Sequence, residues 1–105
     1  MDTLLKTLAD EKRREILRLV WSEELGATEI AQHFPNVTRT AISQQLSLMK
    51  RVGLLNERRA GTHRFYRAQH REVLRVQQFL NGYWSDSLQR LKELAEAIEK
   101  GEVTA

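Results

Sequence analysis

Arg39, Thr40, Ser43, Gln44 and Ser47 recur at spacings of one and three residues in the middle of the chain. At about 100° per residue, that spacing places all five on one face of a helix. Their groups are guanidinium, hydroxyl and carboxamide, which donate and accept at base edges in a major groove. Arg39 suits a bidentate contact to guanine and Gln44 one to adenine. An ordinary solvated helix face carries Glu/Lys pairs four residues apart, yet residues 36–55 contain no acid. The plainer reading is a polar face on a packed helix, and the surrounding residues decide between the two.

Those residues are basic. Thr38, Lys50, Arg51, Arg58, Arg59, His63, Arg64 and Arg67 can reach phosphates or an adjoining minor groove. Residues 39–75 hold nine Lys/Arg against two acids, a net of +7, while the rest of the chain nets −4 and the total is +3. A basic middle between acidic ends is the footprint of a polyanion-binding surface. A basic cluster at Lys12, Arg13, Arg14 and Arg18 has two readings, phosphate contact or pairing with Glu11 and Glu15.

Catalysis finds no support. The chain has no Cys, so disulfides, thiolate ligands and a Cys nucleophile are excluded. No Ser/His/Asp set, paired carboxylates or Gly-rich phosphate loop stands out, and no enzyme is expected. His33, His63 and His70 are dispersed, whereas a metal site needs three or four converging ligands. His70 with Glu72, or with a carboxylate of a second subunit, is the one set that could contribute. No metal or other cofactor is expected. Without a signal-type segment or an 18-residue apolar run, the chain reads as soluble, cytoplasmic and not membrane-bound.

The elements that position these groups follow from periodicity and caps. Thr38 as N-cap and Gly53 as C′ residue bound a helix of about 14 residues, with Ile42, Leu46 and Met49 inward, flanked by Gln45 and Val52. Before it, residues 3–9 form a short helix with Leu4, Leu5 and Leu8 on one face. Asp10 caps a second helix, Glu11–Glu23, burying Ile16, Leu17, Val20 and Trp21. Thr28 caps a third, Glu29–Phe34, with Ile30, Ala31 and Phe34 inward, and Pro35-Asn36 ends it. After Gly53, Leu54–Arg59 and Thr62–Ala68 are strands of a hairpin around Ala60-Gly61, with Leu55 and Tyr66 inward.

From His70 the helical period returns through Val73, Val76, Phe79 and Leu80. Gly82 is predicted to kink or break the helix. Trp84, Leu88, Leu91, Ala95 and Ile98 then step by four and three, a seam widened by Leu94. So much apolar surface in 105 residues calls for a second subunit. The predicted interface is Leu4, Leu5, Leu8, Phe79, Leu80, Tyr83, Trp84, Leu88, Leu91 and Ile98. Phe79, Tyr83 and Trp84 suit either a core or an inducer pocket, and no effector can be named. Residues 101–105 are expected to fray.

The predicted class is therefore mainly α with a small β-hairpin (α+β), in the order α-α-α-α-β-β-α with a further helix after Gly82. That is the order of a winged helix-turn-helix domain. One domain spans 1–105: residues 28–53 form the helix-turn-helix, 54–68 the wing, and 1–9 with 70–100 the dimerisation helices. A protein-interaction module of the same fold is the alternative, but it would not need +7 over residues 39–75.

Within this frame, Leu8-Ala9-Asp10-Glu11-Lys12-Arg13-Arg14-Glu15-Ile16-Leu17 resembles the opening signature of the ArsR/SmtB family of bacterial winged-helix repressors, with Glu11 where that family has Pro. Thr38 to Leu46, Met49 and Val52-Gly53-Leu54 are similar to its recognition-helix pattern. Arg59, Gly61, Arg64 and Tyr66 look like its wing, and Tyr83-Trp84 like the last helix of one subgroup. The resemblance covers about residues 3–95. It implies a homodimer, held by the first and last helices, that binds double-stranded DNA at an imperfect palindrome and represses transcription. The founding members' Cys-rich metal site, and their His/Asp set on the last helix, are both missing.

Overall fold

A computed structural model describes residues 1–102 of the chain. The elements are α1 (Asp2–Leu8), α2 (Glu11–Leu19), β1 (Leu25–Gly26), α3 (Ala27–Gln32), α4 (Arg39–Arg51), β2 (Leu55–Ala60), β3 (His63–Ala68) and α5 (His70–Glu99). The strands form one antiparallel sheet in the order β1-β3-β2. Two compact units are distinguished, residues 1–74 and the stretch from Arg75 onward.

In the first unit the caps work as their residue types demand. Asp10 Oδ1 accepts from the Arg13 N–H at 3.1 Å, and Thr38 Oγ1 accepts from the Ala41 N–H at 3.1 Å. α4 ends in a Schellman arrangement. The Leu54 N–H donates to the Met49 carbonyl at 2.9 Å and the Gly53 N–H to the Lys50 carbonyl at 3.1 Å. Gly53 takes φ +92°, which only a residue without Cβ adopts freely. The core beneath is built from Ile16, Leu17 and Val20, Ile30, the α4 stripe Ile42, Leu46 and Met49, and Leu54, Leu55, Tyr66 and Ala68. Each large aliphatic side chain so buried contributes about 1.5–3 kcal/mol.

Several boundaries differ from the sequence reading. α2 stops at Leu19 rather than Glu23, because the Val20 carbonyl accepts from the Ala68 N–H at 3.0 Å and the chain turns away. Trp21 therefore leaves the buried stripe. It is 39% exposed, with its ring centroid 4.2 Å from that of His70. The two residues of β1 had no signal of their own; they pair Leu25 with Tyr66 and Gly26 with Phe65. α3 starts earlier than expected, at Ala27, so Thr28 lies inside it and Gly26 is the cap. The Gly26 N–H donates to Glu29 Oε1 at 3.2 Å. β2 and β3 each start one residue later than predicted. Leu4, expected at an interface, is already buried in the single chain, while Leu5 and Leu8 are half-buried.

α5 runs through Gly82 without interruption, against the expected break. An interior Gly costs about 1 kcal/mol relative to Ala, which a 30-residue helix tolerates. In the second unit, Val76 is buried, but Phe79, Leu80, Tyr83, Trp84, Leu88, Leu91, Leu94 and Ile98 are exposed, from 37% at Ile98 to 61% at Leu88 and Leu91. Phe79, Tyr83 and Trp84 are therefore not core within the single chain. Tyr83 and Trp84 meet edge to face at 6.0 Å. The fraying expected at the C-terminus falls, for residues 103–105, outside the described residues. Among the described residues no helix is long and apolar enough to cross a membrane.

Candidate nucleic-acid interface

α4 separates its two faces completely. Ile42, Leu46 and Met49 are at most 1% exposed, whereas Arg39, Thr40, Ser43, Gln44, Ser47, Lys50 and Arg51 are all exposed. The predicted polar face is thus a surface. It has no acid in its first turn and two bases, Lys50 and Arg51, in its last, where they complement the negative end of the helix dipole. Thr38 is exposed at the start of α4; its hydroxyl accepts as the cap and keeps a proton to donate. The α3–α4 connection is closed by Val37 N–H donating to the Phe34 carbonyl at 3.0 Å.

Two depressions flank the helix. One, of about 560 Å³, lies between α4 and β3 and is lined by Arg39, Ser43, Ser47, Thr28, Glu29, Thr62, His63, Arg64 and Tyr66 among others. A shallower one of about 370 Å³ follows the other flank, along Thr40, Ser43, Gln44, Ser47, Leu48 and Arg51. Ser43 and Ser47 line both, so the polar face of α4 is a ridge that a grooved surface can accept.

The hairpin carries the remaining cations, sorted by its register. Leu55, Glu57 and Arg59 of β2 lie opposite Ala68, Tyr66 and Arg64 of β3; strand alternation puts these six on one face. That is the face toward α4, because Lys50 Nζ donates to Glu57 Oε1 at 3.2 Å. Asn56, Arg58 and Ala60, opposite Arg67, Phe65 and His63, form the other face. Gly61, at φ +61°, supplies the turn. His63, Arg64 and Arg67 are exposed. Lys50 and Arg59 pair with Glu57, and Arg58 with Glu24.

Arg58 and Arg59 differ in their surroundings. Arg58 grips Glu24 through Nη2 at 2.6 Å and Nε at 3.1 Å, and its guanidinium sits 4.7 Å above the Phe65 ring. The hydrogen bond from Arg58 holds the Glu24 carboxyl below its ordinary value, and Glu24 raises Arg58 in turn. Arg59 Nε donates to Glu57 Oε1 at 3.1 Å and the Tyr66 hydroxyl donates to Glu57 Oε2 at 3.0 Å. Burial pushes the Glu57 carboxyl up, but the hydrogen bonds from Arg59, Lys50 and Tyr66 outweigh it and hold it below the usual carboxylate range. Burial, then the Glu57 hydrogen bond, raises Tyr66, keeping it a donor.

Three of the four α2 bases have partners within the chain. Arg13 Nε donates to Gln45 Oε1 at 2.7 Å, Arg14 Nη1 to the Leu8 carbonyl at 2.8 Å, and Arg18 pairs with Glu15. Sequence reading missed Arg13–Gln45 and Glu24–Arg58, for which no spacing rule exists. Glu57 did carry a signal, as the one acid among the hairpin's bases. His70 Nε2 lies 2.6 Å from the Trp21 carbonyl, and no three His, Asp or Glu groups among the described residues converge as a metal site.

Comparison with known proteins agrees with this geometry. The model of a family described as "Bacterial regulatory protein, arsR family" matches residues 10–57. The transcriptional repressor SdpR of Bacillus subtilis is 32% identical over 66 residues, 63% of this chain and 72% of that protein. The transcriptional activator HlyU of Vibrio cholerae is 34% identical over 70 residues, 67% of this chain and 64% of that protein. The crystal structure of a possible transcriptional regulator for arsenical resistance superposes with a TM-score of 0.74 at 32% identity, over 89% of this chain and 95% of that one. With its three-stranded wing sheet, exposed α4 ridge and these relatives, the chain belongs to the arsR family of bacterial regulatory proteins and is a winged-helix, DNA-binding transcriptional regulator, not an enzyme.

Proposed function

We propose that the protein is a homodimeric, sequence-specific repressor that binds a palindromic operator in double-stranded DNA, inserting α4 of each subunit into a major groove. The acid-free, exposed polar face of α4, backed by the buried Ile42, Leu46 and Met49, carries this reading. Arg39 and Gln44 make the bidentate base contacts, and Thr40, Ser43 and Ser47 allow close approach and add single ones. Thr38, Lys50, Arg51, Arg59, His63, Arg64 and Arg67 serve phosphates or the flanking minor groove. Arg58 contributes least, since Glu24 holds its Nε and Nη2 and offsets its charge.

The second subunit covers the exposed stripe Phe79, Leu80, Tyr83, Trp84, Leu88, Leu91 and Ile98 on α5, together with Leu5 and Leu8 of α1. A two-fold then spaces the α4 helices about one DNA turn, ~34 Å, apart. Occlusion of a promoter requires affinity and nothing more, which favours repression, the activity named for SdpR. HlyU is named an activator, so the sign is tested directly. A reporter driven by the chain's own upstream DNA should fall in output when the protein is supplied; a rise would assign activation. Such a role places the protein in the bacterial cytoplasm.

A further inference from the structure

We propose that Glu57 is a positioning residue for DNA recognition: it fixes Lys50 of α4 and Arg59 of the wing relative to each other and restrains both from attaching to DNA of any sequence. The inference rests on the reading of α4 and the wing as the DNA surface. Glu57 is the one acid on β2 and β3, and its side chain is only 7% exposed. Burying a carboxylate is costly unless its oxygens are filled. Here they are, by Lys50 and Arg59 on Oε1 and Tyr66 on Oε2. A neutral or apolar residue would hold β2 in the sheet without that cost, so packing alone does not account for the acid.

The cations themselves remain outward. Lys50 and Arg59 side chains are 47% and 62% exposed. Arg59 gives one N–H to Glu57 and keeps others for a phosphate; Lys50 likewise keeps two ammonium protons. Glu57 thus sets where two positive charges stand without consuming them. Its negative charge also subtracts from the counterion release that drives binding to every sequence equally. Tyr66, 3% exposed, anchors the carboxylate from below.

Fluorescence anisotropy tests this with wild type, Glu57→Gln, Glu57→Asp and Tyr66→Phe. The probes are a duplex selected from a random pool by the wild-type protein and a scrambled duplex, each at several salt concentrations. Glu57→Gln nearly keeps the shape and removes the charge. It should bind scrambled DNA about threefold or more tightly at low salt, steepen the log–log salt slope by about 1, and lower the selected-to-scrambled preference. Glu57→Asp and Tyr66→Phe keep the charge but loosen the geometry, and should lower the preference with the slope unchanged. Equal loss on both duplexes in step with a lower Tm, at constant slope, would reduce Glu57 to a stabilising residue and overturn the proposal. Wild-type-like binding by every variant would overturn it too. Wild-type protein that enriches no duplex from the pool would instead remove the underlying DNA reading, and this proposal with it.

Discussion

Arg13 of α2 donates from Nε to the carboxamide oxygen of Gln45 on α4 at 2.7 Å, one residue from the outward Gln44. The same guanidinium reaches the Thr7 carbonyl at the end of α1, at 3.4 Å through Nη1. One side chain therefore links α1, α2 and the middle of α4. A hydrogen bond to a charged group is worth about 1.5–3 kcal/mol net. Arg13→Ala should lower stability by about that amount. In a double-mutant cycle with Gln45→Ala the two should couple by more than about 0.5 kcal/mol in urea melts. Additive losses would show that the link carries no energy of its own.

The α4 ridge was legible in the sequence because everything that makes it is local: a Thr cap, a Gly stop, and apolar residues at helical spacing. The wing was legible for the same reason, through Ala60-Gly61 and the inward Leu55 and Tyr66. What escaped was decided by distant partners. Trp21 has helical spacing with Val20 and Leu17, but the Val20 carbonyl is taken by Ala68, 48 positions on, and α2 ends there. Leu25-Gly26 becomes a strand only because β3 offers an edge. Gly82 looks like a break in isolation, yet the residues either side carry the helix across it. Among candidate site residues, the bases could be counted, but Arg58 gripping Glu24 and Arg59 sharing Glu57 could not be read from order alone.

Acid should loosen the wing through Glu57. Its carboxyl is held below its ordinary value in the folded chain. The stabilisation it brings is therefore complete above the unfolded value, about 4.3, and is lost as pH falls through the lower folded value. The Tm gap between wild type and Glu57→Gln should be largest near neutrality and shrink below about pH 4.3. A gap that stays constant to the lowest pH would contradict this assignment.

The exposed α5 stripe makes a separate prediction about assembly. Leu88 and Leu91 are each 61% exposed in the single chain, so Leu91→Glu disturbs no core there. Buried in a dimer, the introduced carboxylate would be unpaired and costly. Sedimentation should give a dimer for wild type and a monomer for Leu91→Glu at equal helical content. The variant's operator affinity should drop by at least about tenfold, because two half-sites no longer act together. A wild-type monomer, or a variant that stays dimeric, would place the interface elsewhere.

The proposed division of labour has α4 reading sequence while the wing and the flanking bases supply affinity. Its most direct test is anisotropy of wild type, Gln44→Ala and Arg59→Ala on a selected palindromic duplex, single-base variants of it and a scrambled duplex, across a salt series. Gln44→Ala should cost about 1–3 kcal/mol on the selected duplex, flatten the preference at one base pair and leave scrambled binding unchanged. Arg59→Ala should weaken every duplex alike and reduce the salt slope by about 1. If both variants weaken all duplexes equally, α4 does not read sequence and its polar face only adds affinity.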